Sequence, residues 1–183
     1  MPNTILDPTG RGGAAATPPA PAAVRAPRCG LAGARVGLME NTKHNAALLL
    51  DEIGALLVAE HGAAAVTLRR TKTTIALPAS AELVAEFAQE CDVVITGVGD
   101  CGSCSASAVA DGVQFEQAGL PAAVICSDAF VTTADAMAQL RGAPGYRYVT
   151  TEHPVAVLTP QQVADRAKQV LPGVVALLTG GGA

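Results

Sequence analysis

Asp92-Val93-Val94-Ile95-Thr96-Gly97-Val98-Gly99-Asp100-Cys101-Gly102-Ser103-Cys104-Ser105 carries a short apolar run into a glycine-rich turn, and the turn opens a helical pattern that continues to Gly119. The run Val93-Val94-Ile95 does not alternate apolar with polar residues, and neither does Ala123-Val124-Ile125. Unbroken apolar strands belong to parallel sheets covered on both faces. Outward from this stretch the same unit repeats: strands are read at 35–40, 65–68, 92–97, 122–127 and 146–150, and helices at 45–61, 79–90, 105–119, 133–141 and 159–178. Leu48, Leu49, Ile53, Leu56 and Leu57 recur at helical spacing in the first helix, and Gly62 marks its end. Ser80 caps the second, and Pro172 with Gly173 predicts a break in the last. Alternating strands and helices of this length give right-handed crossovers and an α/β fold: an open, doubly wound parallel sheet of about five strands, three-layered αβα and Rossmann-like. Ligands of such a sheet bind beyond the carboxyl ends of its strands, so chemistry is sought there.

With 183 residues, half of them apolar, the chain forms one ordinary core. Residues 1–34 hold six of the twelve prolines, at 2, 8, 18, 19, 21 and 27, among Gly and Ala, and are read as an extended arm preceding a single domain at 35–183. Leu6 and Val24 are its candidate anchors on a neighbouring subunit. A net charge of -4 leaves no basic field for nucleic acid or anionic lipid, and 3% aromatics without Trp leave no stacking platform. No apolar run reaches the roughly 20 residues of a membrane span. The N-terminus lacks a basic segment followed by an apolar stretch, so a cytoplasmic protein is expected. Five cysteines, at 29, 91, 101, 104 and 126, do not suit a secreted disulfide framework, and point to core thiols or chemistry. The Ala-rich stretch Ala106 to Ala110 suits close subunit packing, and a homo-oligomer is expected.

Cys101 and Cys104 stand where a helix begins. Partial positive charge at a helix N-terminus favours thiolate over thiol, and a Cys-X-X-Cys spacing lets the second sulfur support or resolve chemistry at the first. Glycines 97, 99 and 102 let backbone approach a ligand, and the amides of Ser103 to Ser105 suit a carboxylate or oxyanion. Three other readings compete. A zinc site would need a second Cys or His pair, and the three histidines are scattered at 44, 61 and 153, so no metal is expected. Small core thiols fit poorly in a Gly-Ser turn. Gly97-Val98-Gly99 imitates a dinucleotide fingerprint but follows the third strand and lacks the third glycine in register, so no cofactor is expected.

Other strand ends add polar groups. Glu40-Asn41-Thr42-Lys43-His44-Asn45 follows the first strand and suits an anionic or carbonyl substrate, with helix capping by Asn41 or Asn45 as the alternative. Arg69-Arg70-Thr71-Lys72 follows the second and reads as a solvated loop or an anion clamp. The fourth ends in Cys126-Ser127-Asp128, and the fifth runs into His153-Pro154, where His153 is either a general acid or base or a structural histidine. Asn41, Lys43, His44, Lys72, Asp100, Ser103, Ser105 and Asp128 are the candidate substrate-binding residues, and Cys101, Cys104 and His153 the candidate catalytic ones. Cys91 sits at the far edge of the sheet and is expected to be inert.

The block Gly99-Asp100-Cys101-Gly102-Ser103-Cys104-Ser105, with Arg35-Val36-Gly37-Leu38 and Asn41-Thr42-Lys43-His44-Asn45-Ala46 upstream and His153-Pro154 downstream, resembles the UGSC family. The likeness runs from about residue 5 to the C-terminus. The family takes its name from a selenocysteine-Gly-Ser-Cys motif, and the position matching Cys101 is selenocysteine in some members, so the chain resembles a cysteine homologue. A position that accepts selenium or sulfur implies a chalcogen nucleophile or redox centre. The motif is also loosely similar to the selenocysteine segment of the substrate-binding protein of glycine reductase. That analogy casts Cys101 as nucleophile and Cys104 as resolving thiol.

These readings lead to a thiol-dependent enzyme acting on a small polar, anionic metabolite, served by a thiol reductant or partner enzyme. A cofactor-free cysteine lyase, hydratase or isomerase is the alternative. A non-catalytic accessory subunit carrying a reactive thiol pair is the third reading.

Overall fold

The computed structural model describes residues 29–180. Five strands form one parallel sheet: β1 (Arg35–Glu40), β2 (Ala65–Thr71), β3 (Val93–Gly99), β4 (Ala122–Ser127) and β5 (Val149–Thr151), in the spatial order β2-β1-β3-β4-β5. The intervening helices are α1 (Ala46–His61), α2 (Ala81–Glu90), α3 (Gly102–Gln117), α4 (Val131–Leu140) and α5 (Pro160–Thr179). β3 and β4 are buried along their whole length, as unbroken apolar runs in a doubly covered sheet should be.

One face of the sheet packs on α1 and α5 through Leu49, Leu50, Ile53, Leu57, Val163 and Leu178. The other packs on α2, α3 and α4 through Met39, Val94, Phe87 and Phe115 and, nearer β4, through Val109, Val124, Ala134 and Ala138. Phe87 and Phe115 meet edge to face, their centroids 5.3 Å apart. Gly37 is required where β1 passes α2, since a Cβ there would lie 2.6 Å from Phe87.

Several boundaries differ from the sequence reading for identifiable reasons. β2 continues to Thr71, because Arg69, Arg70 and Thr71 go on pairing with β1 instead of leaving the sheet as a loop, while Arg69 and Arg70 ion-pair with Asp51 and Glu86 at the surface. β5 keeps only Val149–Thr151, and Tyr146 before it is buried against α3 and α4 instead of pairing in the sheet. α5 runs through Pro172 unbroken. Pro172 and Lys168 both stand on the exposed side of the helix. A Thr159–Gln162 capping box with Pro160 in the first turn fixes the start of that helix. The Ala106–Ala110 stretch lies inside the chain's own packing, with Ala108 and Ala110 buried and α3 against α4, and offers no broad subunit face.

Leu31 and Ala34 are buried in the α1/α5 core, and Gly33 N–H donates to the Gly62 carbonyl, so the domain is already packed by residue 31. The arm reading for residues 1–28, with Leu6 and Val24, lies outside the described residues. Among the described residues no helix is long and apolar enough to cross a membrane.

Candidate functional site

β1 and β3 are neighbours at the point where the chain order reverses, and the loops leaving their carboxyl ends meet those leaving β4 and β5. Crevices of doubly wound sheets form at this switch point. The segments that converge here are 41–45, 98–105, 127–128 and 153–158.

Cys101 is the N-cap of α3, and its Sγ accepts the Cys104 N–H at 3.2 Å. The pair forms a disulfide, with Cα atoms 5.1 Å apart. Cys101 is half-buried whereas Cys104 is fully buried, so the first sulfur is the one a ligand can reach. Ser103 is exposed, its hydroxyl 3.6 Å from Cys101 Sγ. Ser105 is buried, and its hydroxyl donates to the Cys101 and Gly102 carbonyls within the first turn. Gly99 admits no side chain: a Cβ would lie 2.6 Å from Cys126 Sγ and 2.7 Å from Ser105 Cα. The tight contact between the end of β3 and α3 therefore depends on that glycine.

Asp100, 3% exposed, is the hub of the site. Its carboxylate accepts the Val155 and Ala156 amides at 3.0–3.1 Å, the Ser127 hydroxyl at 2.9 Å and His153 Nδ1 at 2.9 Å. Burial alone would raise its pKa, but the amides, hydroxyl and imidazole outweigh it and hold the carboxyl below the usual range. The His153 ring lies edge to face with Phe130, and the backbone N–H of His153 donates to the exposed Asp128 carboxylate. Its peptide bond to Pro154 is cis.

Asn41 is buried, and its side-chain amide donates to the Val98 carbonyl at 3.0 Å and accepts the Val98 N–H at 3.1 Å. Asn45 stands at the N-cap of α1 in the left-handed region without capping it, and its amide holds the Val155 and Leu158 carbonyls instead. Exposed His44 bonds the Ala156 carbonyl through Nδ1 at 2.6 Å. Half-buried Lys43 has no ion-pair partner among the described residues. Lys72 is directed elsewhere: it is 3% exposed, with Nζ 2.6 Å from Asp111 and 2.5 Å from the Ser107 hydroxyl on α3. Desolvation of Asp111 is only partly offset by that ammonium, so its carboxyl sits above the usual range.

The structure thus leaves Cys101, Ser103, Lys43, His44, Asp128 and His153 at or near the surface of the site. It engages Asn41, Lys72, Asp100 and Ser105 inside the protein. Asn45, Ser127 and the 155–156 backbone belong to the network although the sequence did not single them out for it. Asn45 was legible as a cap, and its actual partners lie more than a hundred residues away. Of the other cysteines, Cys29 is exposed, Cys91 is buried with its thiol raised by desolvation, and burial pushes the Cys126 thiol up to about 12. Among the described residues no group of three or more His, Cys, Asp or Glu is placed to hold a metal.

Sheet order and site together define a doubly wound α/β protein with a cysteine pair at the N-terminus of the helix that follows its central strand. The chain belongs to the UGSC family, whose model matches residues 4–180. No curated protein matches it. Among solved structures, the flavodoxin-like domain of a Synechococcus sp. protein is similar at 14% identity, covering 75% of this chain and 91% of that one, with a TM-score of 0.38. A likeness that loose says nothing of function.

Proposed function

We propose that the protein is an enzyme of thiol chemistry acting on a small polar, anionic metabolite. Cys101, as thiolate, attacks an electrophilic carbon of the substrate. A sulfur–carbon bond forms while the leaving group departs with its electron pair and takes a proton through His153. Cys104, as thiolate, then attacks Cys101 Sγ. The disulfide forms as the sulfur–carbon bond breaks, and the carbon leaves with that electron pair and is protonated. The two thiols supply both protons and both electrons, so the substrate is reduced and the pair oxidised. A dithiol reductant returns the pair to its starting state. Lys43 and His44, beside the pair's sheet edge, orient the anionic substrate.

The carrying observation is the sulfur at the N-cap: reachable Cys101 Sγ accepts a backbone N–H and is bonded to a buried partner thiol. The test is peptide-mapped alkylation of the reduced, folded protein as a function of pH. Cys101 should label fastest, with an apparent pKa below the roughly 8.5 of a free thiol, while Cys91 and Cys126 label slowly. Slow, joint labelling of Cys101 and Cys104 at the pace of Cys91 would remove the thiol reading. Cys104→Ser separates this cycle from cysteine lyase or isomerase chemistry. The cycle stops with one thiol missing, whereas a lyase that uses Cys101 alone continues.

A further inference from the structure

Two imidazoles face the same short segment. His153 binds Asp100 through Nδ1, and His44 binds the Ala156 carbonyl through Nδ1, while the Ala156 N–H donates to the other oxygen of Asp100. One buried carboxylate therefore ties the His153 ring directly and the anchor of His44 at one remove. A carboxylate that is ionised accepts only, so the hydrogen between it and His153 Nδ1 belongs to the ring. That leaves Nε2, which has no protein partner among the described residues, as the nitrogen that exchanges protons; the His153 side chain is 37% exposed. The Ser127 hydroxyl, 2.9 Å from the same carboxylate oxygen and 3.3 Å from Nδ1, completes the clasp.

We infer that Asp100 is a positioning residue: it fixes His153 as the Nδ1–H tautomer and aims Nε2 outward as the proton-transfer atom of the site. This deepens the thiol reading by naming which atom moves the protons and what holds it. Asp100 precedes Cys101 in the chain, so the carboxylate that aims the imidazole and the sulfur that reacts are joined through one peptide bond. Asp100 itself touches no substrate, because its oxygens are already occupied by the protein. It stands behind the site and not among the substrate contacts that its place at the strand end suggests.

The experiment is nitrogen-15 NMR of the imidazoles in the full-length protein, with the rings neutral and the cysteine pair reduced and then oxidised. His153 should carry its proton on Nδ1 in both states. Ser127→Ala should preserve that tautomer. Asp100→Asn, if folded, should shift the population toward Nε2–H, since an amide nitrogen turned to the ring donates to Nδ1. A wild-type His153 protonated mainly on Nε2 would overturn the assignment without any variant. So would an unchanged spectrum in folded Asp100→Asn. Failure of the thiol reading is distinguishable: Cys101 would then alkylate no faster than Cys91 while the tautomer result stood.

Discussion

Two carboxylates, half-buried Glu116 and buried Asp100, set opposite pH responses. Glu116, near the carboxyl end of α3, is desolvated, so its pKa rises to about 7 from an ordinary 4.5. The folded state then holds its proton more tightly than the unfolded chain. The stabilisation is complete below about 4.5 and is lost as pH rises toward about 7. Glu116→Gln should therefore raise the denaturation midpoint at pH 8 relative to wild type while changing little at pH 4, as chemical denaturation at the two pH values would show. Asp100 has the opposite sign. Its folded pKa is depressed, so its contribution is present above the ordinary carboxyl range and is lost as pH falls through the folded value. Gly99 makes a steric prediction at the same scale: Gly99→Ala should cost about 1–3 kcal/mol by overpacking, because one of the atoms it meets is the Ser105 backbone. Urea denaturation measures it.

At the scale of elements, Lys72 ties the end of β2 to α3, and Asp111 on that helix also accepts the Ala79 amide in front of α2. Removing one partner of a buried ion pair strands the other charge and costs about 3–5 kcal/mol. Lys72→Met should lose stability on that scale, and adding Asp111→Leu should recover part of it; thermal unfolding of the single and double variants tests this. Strand and helix order was legible because the runs of β3 and β4 are unbroken and the leucines of α1 keep helical spacing. The function of Lys72 was not, since a lysine after a strand reads the same whether it meets solvent, a ligand or an aspartate 39 residues further on. Pro172 is a similar case. A proline in the sequence reads the same whether the helix ends there or continues past it, and here the last helix continues, with Pro172 on its exposed side.

Across the whole molecule, the site joins four loops that only the sheet brings together. Cys101 and Cys104 were legible because a spacing of three inside one turn is local information. The Asp100 network was not, because its donors at 127, 153, 155 and 156 are recruited across the sheet. The same locality governs what oxidation does to the protein at large. The disulfide joins residues only 3 apart in sequence. Constraining so short a loop in the unfolded chain contributes about 2 kcal/mol by the chain-entropy argument, the low end for such cross-links. Reduction should thus lower the melting temperature by no more than about 8 °C in a domain of this size, which calorimetry with and without reductant would measure. A cross-link that contributes so little to global cohesion can be made and unmade repeatedly, and the scaffold that presents it persists through both chemical states.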